Sequence, residues 1–493
     1  FSSLRKKAEG IFAFSPFRTR FFPGKEPFLV LLHLDYSGGR DYYLEIFCVS
    51  GPPNIRCFRW FSRRKKVSMD ISKKLDYVRS YAVAFVKWGL LGLLVGILGG
   101  WLGVLFHYTL GALTQFRGAH PWILFLLPVG GLLTVGLYQE LKLSGNKGTN
   151  EIIEATLDGH HVSPAVTPAV FLATCLTHFF GGSAGREGAA LQLGGSLASL
   201  VARVFHIRRY ERKILVMAGM SAVFTGLFGT PLTAMMFCME FESVGTFFSP
   251  ALFPCFMSSM AAGYVSRLLG VYPEAVDLTV LYTFTPYNGG RYLLLALGIS
   301  LLSIFMCWFI HKAEHLSQEL LEDPKTRILV GSILLVALTL ALGDQRFNGA
   351  GMDMALDAVN GQADWYSFLV KLLFTAITLS AGFKGGEIVP TFCIGATFGC
   401  VWGGLLGLDP GFSAALGLVG LFCCVTNSPL ASIVLSVEMF GGANVYNFTF
   451  VSIVCFVLSG NSSLYSSQVM VFDKTTLPRP FRSAQAKDPQ KPA

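Results

Sequence analysis

The chain has 493 residues, of which 52% are hydrophobic and only 14% charged, against roughly 25% charged in soluble domains. That balance excludes an ordinary water-soluble globule and points to a polytopic helical membrane protein. The net charge of +9 does not mark a nucleic-acid binder: residues 1–68 hold 13 basic and 5 acidic residues and so carry +8 of it, and no basic groove with interleaved aromatics follows.

Residues 1–68 are rich in Phe, Arg, Pro and Gly and show no sustained helical or strand period. Their one apolar run, residues 28–32, is far too short to span a bilayer. The first methionine is Met69. Two readings of this basic extension stay open: an ordered cytoplasmic segment, or upstream sequence outside a natural protein that starts at Met69. Residues 69–85 form a lead-in to the first span. The run Arg63-Arg64-Lys65-Lys66, with Lys73 and Lys74, puts the N-terminus on the cytoplasmic side by the positive-inside rule. The expected location is a plasma (inner) membrane, crossed several times.

From Trp88 onward apolar runs recur, including residues 89–105, 292–310, 328–342 and 448–458 with their flanks. Some fall short of a full span, as tilted, paired or re-entrant helices do. The pattern divides into a first repeat over residues 86–270, a more polar connector over 271–290 and a second repeat over 291–468. The Pro-containing tail, 469–493, is too short for a folded domain and is expected to be disordered.

Each repeat carries a glycine cluster that interrupts the apolar pattern, a glutamate, and a new helix. In the first the run is Gly185-Arg186-Glu187-Gly188, and in the second Gly385-Gly386-Glu387-Ile388-Val389-Pro390. A Pro-Leu pair follows in each, with a glutamate nine positions after the proline: Pro231 to Glu240, and Pro429 to Glu438. Broken helices at matching positions of a duplicated membrane protein mark a substrate site at the repeat interface. A helix opened by glycines leaves backbone N–H groups unpaired at its positive dipole end, which is a ready anion site. Helix packing explains glycines such as Gly96, Gly99 and Gly100 equally well. It does not explain ionisable residues at membrane depth.

These motifs, in this order, resemble those of the CLC family of chloride channels and proton-coupled anion antiporters. Ser463-Leu464-Tyr465-Ser466 resembles the family segment whose tyrosine hydroxyl binds the anion. The resemblance runs over residues 86–468 and implies an all-α, polytopic fold with two inverted repeats and re-entrant helices. It also implies a homodimer with one pore per subunit, embedded in lipid. Carried over by position, Glu187 is the gating and proton-transfer glutamate. Lys147, Gly185, Arg186, Glu387, Ile388, Val389 and Tyr465 are the candidate anion-binding residues.

Several details resemble the branch that exports fluoride in exchange for protons: Gly148-Thr149-Asn150, the acid at Glu387, and the ending from Ser459 to Gln468. Fluoride and protons are therefore the first expectation, with chloride exchange or a chloride channel as the alternative. Val389 departs from the threonine usual in that branch. Lys147, or Asn146 in an alignment slipped by one, stands where chloride transporters have a serine; it either attracts the anion or snorkels to solvent. The inner proton-relay position falls at Phe241, flanked by Glu240 and Glu242, which leaves the inner proton path open between them.

No nucleophile accompanied by a base is present, so an enzyme is not expected. A scaffold would have no use for paired intramembrane acids. The eleven cysteines lack disulfide or zinc spacing, and His160, His161 and His178 read as surface or packed residues. No metal or cofactor is expected.

Overall fold

A computed structural model describes residues 28–36, 40–49, 56–62, 71–471 and 474, except 274, 277, 279 and 280. The basic run at 63–66, Met69 and the tail beyond 474 lie outside the described residues. Two compact units are present, Phe1–Ala84 and Phe85–Ala493. In the first, β1 (Phe28–Tyr36), β2 (Arg40–Val49) and β3 (Arg56–Ser62) form an antiparallel meander. Leu32 pairs with Leu44, and Leu44 in turn with Phe61. The absence of a period in the sequence did not foretell these strands, because residues 28–32 are continuously apolar instead of alternating.

The second unit is helical, and its first helix begins before Phe85, in residues counted with the first unit. α1 (Ile71–Ala119), a 3-10 turn at Pro121–Leu126, α2 (Leu127–Glu140), α3 (Thr149–Asp158), α4 (Val166–Phe180), α5 (Glu187–Val204), α6 (Arg209–Phe228), α7 (Pro231–Glu240) and α8 (Leu252–Leu268) make the first repeat. The second is α9 (Pro286–Leu320), α10 (Pro324–Leu342), α11 (Met352–Val359), α12 (Ser367–Ala381), α13 (Ile388–Leu405), α14 (Pro410–Thr426), α15 (Pro429–Phe440) and α16 (Val445–Leu458). The match between repeats is close: α4 and α12 each have 15 residues, and α5 and α13 each have 18. A two-residue parallel pairing, β4 (Ser243–Val244) with β5 (Val469–Met470), ties the end of α7 to the segment after α16.

Local chemistry sets the boundaries. Prolines open α7, α9, α10, α14 and α15, where a missing N–H costs nothing. Asp323 and Asp409 cap α10 and α14 by accepting from Thr326 N at 2.9 Å and Phe412 N at 2.7 Å, satisfying donors left free in a first turn. Among the described residues, five helices are long and apolar enough to cross a membrane by length and composition, including Asp76–Ala119 and Pro286–Leu320.

Backbone contact between small residues holds each repeat together. A Cβ added at Gly194 of α5 would lie 2.2 Å from Gly219 O of α6, and one at Gly395 of α13 would lie 2.5 Å from Gly417 O of α14. Gly194 and Gly395 occupy the same position in their repeats. Where lipid offers no hydrophobic gain for association, such close approach supplies the packing energy. It fixes α5 and α13, the two helices whose first turns build the site.

Candidate functional site

α4 ends at Gly181 (φ 93°) and α12 at Gly382 (φ 102°), left-handed conformations that glycine adopts without strain. Gly181 is the first of six residues between α4 and Glu187, which opens α5, and Gly382 the first of six between α12 and Ile388, which opens α13. The two breaks meet as an antiparallel bridge: Gly185 N donates to Gly386 O at 2.6 Å, and Gly386 N to Gly185 O at 2.8 Å. Two helix N-termini from opposite repeats therefore converge. The N-terminus of α3 joins them, since a Cβ at Gly188 would lie 3.0 Å from Thr149 Oγ1 and 3.4 Å from Glu387 Oε2.

This pairing refines the repeat alignment. Gly185 and Gly386 are equivalent, so Arg186 matches Glu387, and Glu187 matches Ile388. Glu387 is an N-cap residue, whereas Glu187 is the first residue of its helix. The two acids stand one position out of register and project differently from the same bridge.

Glu187 is fully buried. Its Oε2 accepts from Arg186 N at 3.1 Å and, across the repeat interface, from Val389 N at 3.0 Å. Its Oε1 has no hydrogen-bond partner among the described residues. It borders a cavity lined by Phe224, Phe228, Met352, Phe392 and Phe422. A carboxylate thus sits on the helix-terminal N–H groups that favour an anion, with an apolar space beside it. The Arg186 guanidinium packs over the Phe228 ring at 4.9 Å.

The remaining candidates cluster in part. Ile388 and Val389 are buried in the first turn of α13. Glu387 Oε2 and the Tyr465 hydroxyl are both buried with no hydrogen-bond partner among the described residues, and Tyr465 lies within electrostatic reach of Glu387 and Glu187. The Tyr465 ring meets Phe241 edge-on at 5.8 Å, and Leu464 N donates to Val425 O at 3.0 Å, which anchors the segment. Unsatisfied buried polar atoms are costly, and the free oxygens of Glu187 and Glu387 beside the paired helix N-termini describe a place for a small polar guest.

Lys147 stands apart. Its ammonium is exposed and ion-pairs with Glu154 at 2.8 Å, so of the two options for a lysine here the solvent-facing one describes its position. Glu154 also accepts from Ser467 Oγ at 2.9 Å, and Asn150 accepts from Ser467 N at 3.0 Å, linking α3 to the tyrosine segment. Of the two inner acids, Glu240 has both oxygens engaged, by Leu430 N at 3.0 Å and Ala431 N at 2.8 Å. Glu242 is buried, and its Oε2 has no partner among the described residues.

Three buried polar residues at the first break escaped sequence reasoning. Lys371 of α12 donates to Ser183 Oγ, Phe347 O and Gly349 O. Arg117 of α1 donates to His178 O at 2.7 Å. Asn348 Nδ2 donates to Gly181 O at 2.8 Å. The signal was a basic residue inside the apolar run SFLVKLLFTAITLSA, where a charge at depth is expensive. His178 packs at the same place, its Nε2 3.3 Å from Gly185 O, while His160 pairs with Asp158 at the surface.

Residues 130–460 match the family model of the voltage-gated chloride channels. A chloride/fluoride channel protein of Pseudomonas syringae pv. tomato is 32% identical over 80% of this chain and 89% of its own length. Among solved structures, a CLC-type fluoride/proton antiporter superposes with a TM-score of 0.76 at 31% identity, covering 78% of this chain and 98% of the other. A slow cyanobacterial Cl-/H+ antiporter shares the fold, with a TM-score of 0.67 at 20% identity over 76% of this chain and 94% of its own.

Proposed function

Because this chain belongs to the voltage-gated chloride channel family, we propose that it exchanges a small halide for protons, fluoride first and chloride second. One observation carries this reading: Glu187 Oε2 holds Val389 N at 3.0 Å, so the gate carboxylate occupies a donor that an anion would need. Protonation removes the negative charge that helix-terminal N–H groups favour, and the anion takes its place. The displaced acid carries the proton, which couples the two fluxes.

Glu387 and Tyr465 supply the chemistry for fluoride. A carboxyl group and a phenol are strong partners for a small, strongly hydrated ion that also exists as a weak acid. A second acid at the bridge suits HF, and relatives that handle fluoride support it. The buried Val389 side chain offers no hydroxyl, which keeps chloride as the second substrate. We read the protein as a transporter and not an enzyme. It would work as a homodimer with one pore per subunit in the lipid of a plasma (inner) membrane, its N-terminus cytoplasmic.

The test is efflux from proteoliposomes loaded separately with fluoride and with chloride, recorded together with internal pH. Fluoride-dominant efflux with stoichiometric proton uptake is the expected result. Chloride efflux at an equal or greater rate would make chloride the substrate. Anion movement without protons would make the protein a channel.

A further inference from the structure

We infer that Lys371 is a positioning residue of the anion pathway, whose buried positive charge both shapes the break carrying Glu187 and raises affinity for the transported anion. The inference rests on the transport reading above.

Lys371 is fully buried, and its ammonium donates to Gly349 O at 2.7 Å, Ser183 Oγ at 3.0 Å and Phe347 O at 3.1 Å. All three acceptors are neutral, and no carboxylate among the described residues lies within ion-pair distance of it. Ser183 sits in the first break, four residues before Glu187. On the same face of α12, at i+4 and i+7, Thr375 Oγ1 lies 3.1 Å from Ser183 Oγ and Thr378 Oγ1 accepts from Ser183 N at 2.9 Å. A single helix face of the second repeat thus holds one residue of the first.

The same ammonium shapes the loop that reaches the Glu187 cavity. A Cβ at Gly351 would lie 2.8 Å from Lys371 Cε, and the next residue, Met352, lines that cavity. Gly349 N donates to Gly182 O at 3.1 Å, so this loop is itself bonded to the break.

Repeat symmetry separates function from fold. Aligned on Gly181 and Gly382, the counterparts of Thr375 and Thr378 are Thr174 and Thr177, but the counterpart of Lys371 is Val170, also buried. The architecture therefore tolerates an apolar side chain at this position. Only the copy facing the Glu187 break carries an ammonium, although an unpaired charge at membrane depth is costly. An anion in the pathway is the partner that offsets such a charge. At an effective dielectric of about 20, opposite charges roughly 10 Å apart change binding by about tenfold.

The experiment compares wild type with Lys371→Arg, which keeps charge and donors, and Lys371→Gln, which keeps donors without charge. Lys371→Met removes both. Wild type must first move an anion in proteoliposomes; if it does not, the transport reading itself has failed. The readouts are KM and kcat for fluoride and chloride, calorimetric binding of each anion in detergent, and thermal stability. A rise of about tenfold in KM and Kd for Lys371→Gln, with near wild-type values in Lys371→Arg, is the expected result. Unchanged KM and Kd in Lys371→Gln would overturn the inference. So would equal impairment of Gln and Arg variants tracking a loss of stability, since that is a packing role. Should Lys371→Met fail to fold, the Gln and Arg pair decides alone.

Discussion

Glu240 and Glu438 cap one another's helices. Glu240, the last residue of α7, accepts from Leu430 N and Ala431 N in the first turn of α15, at 3.0 and 2.8 Å. Glu438, near the end of α15, accepts from Leu232 N and Thr233 N in the first turn of α7, also at 3.0 and 2.8 Å. Each carboxylate lies at a positive helix terminus, where the charge is favourable, and the four bonds close a loop between the repeats. Hydrogen bonds to charged groups contribute about 1.5–3 kcal/mol, so Glu438→Gln and Glu240→Gln should each cost about that much. The double variant should cost less than the sum, since both act on one contact. Thermal unfolding in detergent measures all three, and additive losses would show that the caps are independent. The same geometry separates the two inner acids. Glu240→Gln should leave the proton-to-anion ratio intact, while Glu242→Gln, at a carboxylate with a partnerless buried oxygen, should lower proton flux; unchanged proton flux would remove Glu242 from the inner path.

Glu187→Gln tests the gate. The amide cannot release a proton, so proton flux should fall by at least about a hundredfold, in line with the contribution of a positioned proton-transfer group. Anion flux should persist, because Val389 N and Arg186 N then face a neutral group that an anion displaces. Simultaneous recording of anion and pH in proteoliposomes checks it. Proton flux at the wild-type rate would remove Glu187 from the proton path.

Much of this site was legible in the chain. The glycine clusters at 181–185 and 382–386 interrupt apolar runs at matching positions of the two repeats, and the glutamate in each pointed to a site where packing alone would not. Pro231 and Pro429 marked true helix starts because proline at a first helical position loses nothing. A glutamate follows the glycine cluster in each half, but the bridge between Gly185 and Gly386 shows that Glu187 corresponds to Ile388 and Glu387 to Arg186. That one-residue offset depends on which backbone groups pair, a long-range fact with no local signature. The reversal at Lys142 (φ 55°) and Gly148 (φ 65°), which leaves Lys147 toward solvent and Glu154, is likewise a matter of turn geometry. The role of Lys371 was hidden because its three acceptors come from segments distant in sequence.

The Lys147–Glu154 pair has a defined pH signature. The hydrogen bond from Lys147 holds the Glu154 carboxyl below its usual range, so the pair is intact above the unfolded value of about 4.3 and is lost only as pH falls through the lower folded one. Between about pH 5 and 8 it should not titrate. Glu154→Gln should therefore lower the transport rate by less than about threefold, as expected for an exposed ion pair, and leave the pH profile in that range unchanged. A shifted profile would place Glu154 among the groups that load or release protons.

Gly386→Ala probes the bridge itself. A Cβ at this position would lie 2.5 Å from Gly188 N and 3.0 Å from Glu187 N, and backbone atoms in a helix start cannot swing aside as a side chain tip can. The added methyl must push α5 and α13 apart, which strains the Gly185–Gly386 pair and lengthens the contact between Glu187 Oε2 and Val389 N. Overpacking of this kind costs about 1–3 kcal/mol, which a helix bundle can survive while its site does not. Transport should fall more than tenfold although the protein still extracts as a folded species. Gly136→Ala is the control, since nothing lies within 4 Å of a Cβ there, and it should behave as wild type. Near-normal transport by Gly386→Ala would mean that the two helix starts need not touch for the site to work.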